Sequence, residues 1–269
     1  MDGGILDGIR VLDVASFIAA PAAGTVMADF GADVIKVEPV GTGDPLRYSL
    51  RGPGYGQSPA HHEWFVDNRN KKGIALDLKS EAGRAVLYRL CETADVFITN
   101  MPQGPRERLR IRYEDIGPLN DRLIYGSLTA YGENGPERDR EGFDLVAYWS
   151  RSGLMDLVRA PGASPAPALP GMGDHPTAIT LYASIVTALM QRQRTGKGSH
   201  VHTSLMANGV WSASCIAQGV FADASFENYF LNQTRQFTRL LYEASDGRWL
   251  QFSMVRTDDE VDALLVALD

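Results

Sequence analysis

The segment from Ile9 to Glu38 constrains the fold most, because it places a short helical stretch between two apolar ones. The outer stretches, IRVLDV and ADVIKV, are typical of buried strands. The middle stretch, Ala22 to Phe30, is rich in alanine, and we expect its helix to begin near Pro21 and to end at Gly31. Two strands joined by one helix run parallel with a crossover between them. The segment therefore predicts an α/β protein.

The same alternation continues along the chain and predicts a Rossmann-like parallel sheet flanked by helices. Further strands are predicted at Ile74–Leu78, Asp95–Ile98, Leu123–Leu128 and His200–Leu205, and helices at Ser80–Glu92, Phe143–Trp149 and Pro176–Arg194.

NAD is not an expected cofactor. The first turn, SFIAAP, lacks the glycines that let a pyrophosphate approach the backbone, and Gly24 is the only glycine nearby.

The sequence changes character after about Ala224, where aromatic and polar residues dominate. Tyr242–Val255 predicts a hairpin that turns at Ser245-Asp246-Gly247, and a helix is expected from Asp258. We assign residues 1–223 to a large Rossmann-like domain and residues 224–269 to a linker and the beginning of a smaller α+β domain. Because the last helix has no C-terminal cap, we expect this domain to be incomplete and the chain to be truncated.

Charge and composition exclude several classes of partner. A net charge of −7 and a pI near 5.3 do not suit nucleic acid or an anionic membrane surface. The sequence shows no signal peptide and no apolar run long enough to span a bilayer, so we expect a cytoplasmic protein without a membrane partner. Cys91 and Cys215 are predicted to be buried free thiols. No Cys/His cluster has metal-ligand spacing, and no metal is expected.

Two long stretches rich in Gly and Pro, residues 41–72 and 153–175, are predicted to be irregular and functional. The second runs into LPGMGDHPTA, which places Asp174 between a pair of glycines and Pro176. Asp174 is either a helix-capping carboxylate or a nucleophile. In the second case the glycines leave room for a large substrate, and the helix N-terminus keeps the carboxylate ionised. His175 is either a polar neighbour or an acid/base group, and we interpret it as the neighbour.

A basic cluster is the other candidate site. It comprises NRNKKG at residues 68–73, Arg47, Arg51 and the run Arg106-Glu107-Arg108. It is either a solvated surface or a binding site for the phosphates of a large cofactor.

Four stretches, taken in chain order, carry a resemblance to a known family. They are LDGIRVLDVASFIAAPAAGTVMADFGADVIKVEPVGTGDPLR, NRNKKGIALDLKSEAGRAVLYRLCETADVFITN, YGENGPERDREGFDLVA and GMGDHPTAITLYASIVTALMQRQRTGKG. Together they resemble the class III CoA-transferases of the carnitine-dehydratase (CaiB/BaiF) type. The resemblance extends to about Met206 and then weakens to YEASDGRWLQFSM. It implies a homodimer of interlocked subunits.

The resemblance also implies a reaction and a set of site residues. Asp174 matches the family's nucleophile, which forms an anhydride with the acyl group and then an aspartyl-CoA thioester. The substrates would be an acyl-CoA and a carboxylic acid acceptor. The implied CoA contacts are Ile18, Ala19, Lys71, Asn100, Met101, Arg108 and Phe143, with the lysine and the arginine at phosphate groups.

Differences from the family's other members narrow the function. Racemases of the family carry a histidine where this chain has Phe143, and their assisting glutamate corresponds to Leu240, which favours CoA transfer over racemisation. The glycine-rich loop of formyl-CoA transferases is absent between Phe221 and Ser253, and Ile18 replaces their glutamine, so formate and oxalate are not expected substrates. An acyl-CoA racemase and a catalytically silent CoA-binding fragment remain the alternatives.

Overall fold

A computed structural model describes residues 4–49, 56, 58–160, 162–226, 240–252, 255 and 257–268. The chain divides into two compact units. The first extends to Leu157 and resumes at Pro167–Ala213, and the second combines Val158–Ala166 with the chain from Ser214 onward. The second unit thus includes residues 214–223 and a short earlier segment, both of which the sequence analysis assigned to the large domain.

A parallel sheet forms the centre of the first unit. Within the described residues it has six strands in the order β3-β2-β1-β4-β5-β6. They are β1 (Arg10–Asp13), β2 (Asp33–Glu38), β3 (Lys72–Ala75), β4 (Val96–Thr99), β5 (Ile124–Thr129) and β6 (Ser199–Ser204). Every adjacent pair is parallel, which confirms the predicted α/β class with its Rossmann-like sheet.

Helices cover both faces of this sheet. They are α1 (Ala19–Asp29), α2 (Leu46–Ser49), α3 (His62–Asn68), α4 (Glu81–Cys91), α5 (Gln103–Leu109), α6 (Tyr113–Ile116), α7 (Leu154–Leu157), α8 (Asp174–Thr195) and α9 (Leu205–Ser212), with a π-helix at Leu145–Ser150. Val96 and Ile98 point into the core beneath α1 and α8, whereas Phe97 between them points into the core beneath α4 and α6. The central strands are therefore buried on both faces, which explains their continuous apolar sequences.

The ends of several elements differ from the prediction. Helix α1 begins at Ala19, two residues before Pro21, because a proline is tolerated anywhere in the first helical turn, where N–H groups have no intrahelical acceptor. Short helices α2 and α3 lie in the stretch predicted to be irregular. Ser80 caps α4 as its spacing suggests, since its hydroxyl accepts a hydrogen bond from the Gly83 N–H.

The second unit contains α10 (Ser214–Phe221), a hairpin of β7 (Tyr242–Glu243) and β8 (Trp249–Leu250), and α11 (Asp258–Leu268). The predicted hairpin is confirmed, with shorter strands, and Gly247 supplies the positive φ of its turn. Cys91 is buried as expected, but the prediction for Cys215 on α10 is wrong because this thiol is exposed. Among the described helices, none is both long and apolar enough to cross a bilayer.

Candidate active site

A cavity of about 320 Å³ opens at the carboxyl ends of β1 and β4. The chain leaves β1 toward β2 on one side and leaves β4 toward β5 on the other, so a crevice forms between the two connections. The cavity is lined by Ser16, Phe17, Ile18, Ala19, Asn100, Met101, Pro102, Pro105, Leu128, Thr129, Ala130, Arg138, Arg140, Glu141, Gly142, Phe143, Asp174 and Leu205. The strand order therefore places the candidate site where open parallel sheets bind their ligands.

Asn100 fixes the turn after β1. Its Oδ1 accepts a hydrogen bond from the Ser16 N–H at 2.9 Å, and its Nδ2 donates to the Ser16 carbonyl at 2.7 Å. Phe17 follows with a φ of 63°, a left-handed conformation that is unfavourable for a bulky side chain. Asp44 holds this conformation by accepting the Phe17 N–H at 3.0 Å. Hydrogen bonds with the side chains of Asn100 and Asp44 thus fix the turn that forms one wall of the cavity.

The amino end of α1 forms part of the same wall. Ile18 is its N-cap and provides no side-chain acceptor for the first-turn N–H groups, and Ile18 and Ala19 both line the cavity. The partial positive charge of this helix end favours anionic groups. Phe17 and Phe143 contact each other edge to face, with ring centroids 5.3 Å apart, and add apolar surface.

Asp174 is the first residue of α8 and follows the N-cap Gly173. The capping position is thus occupied by Gly173, and Asp174 lies one residue inside the helix. The interpretation of Asp174 as a helix cap is therefore wrong. Burial, followed by the nearby charge of Asp144, raises the pKa of the Asp174 carboxyl to about 7, and the charge of His175 opposes this shift. Burial thus acts against the ionisation that the sequence analysis expected of a carboxylate at a helix N-terminus.

The two glycines before Asp174 are required by packing. A Cβ on Gly173 would lie 2.6 Å from the Tyr148 ring and 2.9 Å from the Asp144 Cβ. Gly171 has a φ of 79°, and a Cβ there would lie 2.8 Å from the His175 ring. The glycines thus allow close contact with the π-helix and with His175.

Asp144 anchors the start of α8. Its Oδ2 accepts the Gly173 N–H at 3.1 Å, and its Oδ1 accepts the Leu145 N–H at 2.8 Å. The residue therefore connects the π-helix to the backbone immediately before Asp174. Such π-helical turns occur frequently at functional sites.

His175 pairs with a residue far away in sequence. Its Nε2 lies 2.9 Å from Oδ1 of Asp67, which is 108 residues earlier, at the end of α3. This hydrogen bond raises the pKa of the imidazole, against the effect of partial burial. Within this pair, the charge of His175 lowers the pKa of Asp174, whereas that of Asp67 raises it.

A network of buried charges lies beneath the first turn. Lys36 lies 2.9 Å from Asp44 and 3.5 Å from Asp13, and Lys71 lies 2.8 Å from Asp13. Lys71 also donates to the carbonyls of Pro21 and Asp67, each at 2.7 Å. Two lysines and two aspartates thus balance their charges and connect β1, β2, α1 and α3.

The family model for CoA-transferase family III matches residues 6–269. This chain belongs to that family. It is 34% identical to (R)-2-hydroxy-4-methylpentanoate CoA-transferase of Clostridioides difficile, over 94% of this chain and 63% of that protein. It is 33% identical to cinnamoyl-CoA:phenyllactate CoA-transferase of Clostridium sporogenes, over 98% of this chain and 65% of that protein. A crystal structure of a CaiB/BaiF family protein from Brucella suis matches with a TM-score of 0.75 and 32% identity, covering 82% of this chain and 58% of that one.

The chain spans slightly less than two thirds of the length of these family III relatives. The catalytic and CoA-contact residues expected from the resemblance can now be located in the fold. Ile18, Ala19, Asn100, Met101 and Phe143 line one cavity together with Asp174. The structure therefore brings most of this set together.

Lys71 and Arg108 lie elsewhere. The Lys71 side chain is 2% exposed, and four oxygens within 3.0 Å surround its ammonium group, which has three protons. These contacts give the lysine a structural role, and its contact with a phosphate stays a prediction. Arg108 is exposed on α5 and is not among the residues that line the cavity, so its contact with a phosphate stays a prediction.

The predicted basic cluster does not form one site. Arg47 pairs with Glu38, Arg69 with Asp29, and the buried Arg106 with Glu133. Arg51 lies outside the described residues. The arginines that do line the cavity are Arg138 and Arg140, which the sequence analysis missed. Both occur in the quoted stretch YGENGPERDREGFDLVA, and this was the available signal.

Proposed function

We propose that this chain provides the CoA-binding and nucleophilic part of an acyl-CoA:carboxylate CoA-transferase. The observation that carries the proposal is the position of Asp174, the first residue of α8, which lines the cavity at the switch point of the sheet. Family membership supports the reaction class. The resemblance supports a cytoplasmic homodimer as part of the proposal.

The reaction proceeds in four exchanges of acyl bonds. A carboxylate oxygen of Asp174 attacks the thioester carbonyl, the C–S bond breaks, and CoA leaves as a thiolate. The thiolate attacks the Asp174 carbonyl of the mixed anhydride, which releases the donor acid and forms an aspartyl-CoA thioester. An acceptor carboxylate then displaces the thiolate to form a second anhydride, and the thiolate attacks its acyl carbonyl. Free Asp174 and the new acyl-CoA result.

The cavity suits this sequence of steps. The amino end of α1 favours the negative charge that develops on the thioester oxygen. Apolar side chains such as Met101 and Phe143 limit the access of water to the anhydrides, which preserves their acyl transfer potential. Arg138 and Arg140 place positive charge at the same cavity and suit the phosphates of CoA.

The test combines a panel of acyl-CoA donors with carboxylic acid acceptors in heavy water, with products followed by mass spectrometry. We expect new acyl-CoA products and no deuterium at the α-carbon. Asp174→Asn should lower the rate by at least ~10³-fold, whereas Asp7→Asn, which changes an exposed aspartate of the same chain, should not. Deuterium incorporation without CoA transfer would support the racemase instead.

A further inference from the structure

The surroundings of Asp174 carry more negative charge than a carboxylate nucleophile favours. Asp144 lies before the π-helix, and Asp67 lies at the end of α3; the charges of both raise the pKa of Asp174. Their negative charge opposes ionisation of Asp174, as does its burial. His175 is the group whose charge acts in the opposite direction.

Asp67 is held rigidly in this cluster. The residue is 3% exposed, and its carbonyl accepts hydrogen bonds from Lys71 Nζ at 2.7 Å and from the Thr25 hydroxyl. Oδ1 of its carboxylate lies within hydrogen-bond distance of His175 Nε2, at 2.9 Å. The buried charge network thus fixes the position of the imidazole through Asp67.

His175 is positioned from its other side as well. A side chain at position 171 would overlap the ring, since a Cβ there would lie 2.8 Å from Cε1. The imidazole keeps 46% of its side-chain surface exposed, so it exchanges protons with solvent. It therefore has a fixed place and an accessible proton.

We propose that Asp67 and His175 form a positioning pair that holds an imidazolium beside Asp174 and so increases the ionised fraction of the nucleophile near neutral pH. The inference rests on the proposed function for its catalytic meaning. Neither residue contacts the transferred acyl group in this account. Their effect on Asp174 is electrostatic.

The direct test is a ¹³C NMR titration of aspartate carboxyl groups, with the Asp174 signal assigned by its loss in Asp174→Asn. In His175→Gln, which removes the charge, the Asp174 midpoint should move to higher pH. His175→Arg, which keeps a cation, should restore it. Asp144→Asn removes a negative neighbour and should move the midpoint to lower pH. His62→Gln is the matched control, because His62 pairs with Glu63 at 2.8 Å on α3 without facing the cavity.

The second readout is the rate at which acyl-CoA labels Asp174 as a function of pH. His175→Gln should lower the rate at pH 7 by roughly two- to fivefold and leave it unchanged at pH 9, where Asp174 is ionised in both proteins. Asp67→Asn should lower the NMR midpoint of His175. An unchanged Asp174 midpoint in His175→Gln, or a loss of rate that is equal at all pH values, would overturn the inference.

The two experiments distinguish failure of the CoA-transferase proposal from failure of the positioning pair. If no acyl-CoA labels Asp174 in any variant, the proposed function fails, and the Asp174 titration still decides whether His175 controls its ionisation. If labelling occurs but the midpoint does not respond to position 175, the CoA-transferase proposal stands and the positioning pair is discarded.

Discussion

Ionisation of Asp174 lowers the stability of the folded protein, yet the proposed reaction requires the ionised carboxylate. Its pKa is raised from 3.8 to about 7 by burial and by Asp144, so the folded protein resists the ionisation that a nucleophile requires. The unfolded chain ionises this group at its ordinary pKa. Stability contributed by this residue is therefore lost as the pH rises from about 4 to about 7, and the loss is constant at higher pH.

Asp174→Asn should accordingly stabilise the protein while abolishing transfer. At pH 8 we expect its free energy of unfolding to exceed that of the wild type by on the order of 2 kcal/mol, with no difference near pH 4. Urea denaturation at several pH values measures this. If the variant is less stable than the wild type at pH 8, ionisation of the buried carboxylate does not lower the free energy of unfolding as we expect.

Asn100 holds the first turn through two hydrogen bonds to the Ser16 backbone. Asn100→Ala should cost roughly 1–3 kcal/mol, because both polar groups of Ser16 lose their partners. It should also weaken CoA binding, since the first turn forms the cavity wall. Asn120 clamps the carbonyls of Cys91 and Ala94 outside the cavity and gives a matched control. If Asn120→Ala weakens CoA binding as much, the effect is global.

Sequence patterns predicted some site residues and could not predict others. Asp174 is marked by glycines and a proline within one short stretch. Asp67 has no such signal, because its partner His175 is 108 residues away and only the fold brings them together. Asp144 lies in the Gly-Phe-Asp motif, yet its role depends on hydrogen bonds to Gly173 and Leu145 that the sequence does not reveal.

At the scale of elements, periodicity predicted the helices with several turns and the buried strands. It missed the helices of four to seven residues in the first unit, namely α2, α3, α5, α6 and α7, because helices this short are stabilised by tertiary contacts more than by their own sequence. Helix α8 begins at Asp174 instead of the predicted Pro176, so Asp174 is the first helical residue and Gly173 is the N-cap. The start of this helix argues against the N-cap interpretation, and the role of Asp174 as a nucleophile stays a proposal.

The junction between the π-helix and α8 is the element most sensitive to small changes. Gly173→Ala should push α8 away from Tyr148 and Asp144 and reduce labelling of Asp174 by at least ~10-fold. Gly73→Ala is the matched control, since a Cβ there meets nothing within 4 Å. Labelling kinetics of both variants measure the difference. Equal behaviour of the two would mean that the junction does not position Asp174.

At the scale of the whole molecule, the parallel sheet followed from the alternation of strands and helices. The strand order did not, because local sequence does not determine which side of a strand the next one joins. That order creates the crevice between β1 and β4 in which the candidate site lies. The position of the candidate site therefore depends on the strand order, which the local sequence does not determine.

Lys71 connects three parts of the molecule and provides a test between two roles. Removing it by Lys71→Met leaves buried Asp13 with Lys36 as its remaining cation, and leaves the carbonyls of Pro21 and Asp67 without this donor. We expect a loss of roughly 3–5 kcal/mol in the free energy of unfolding. Unchanged stability together with weaker CoA binding would instead support the phosphate contact that the family resemblance implies.

The most direct test of the central claim is peptide mass spectrometry after incubation with acyl-CoA and hydroxylamine. Hydroxylamine converts an aspartyl anhydride or thioester into a stable hydroxamate at the residue that was acylated. The account predicts a hydroxamate on the peptide that contains Asp174, and none at this peptide in Asp174→Ala. A protein that binds CoA and transfers acyl groups with no hydroxamate at Asp174, or with one at another carboxylate, would contradict it.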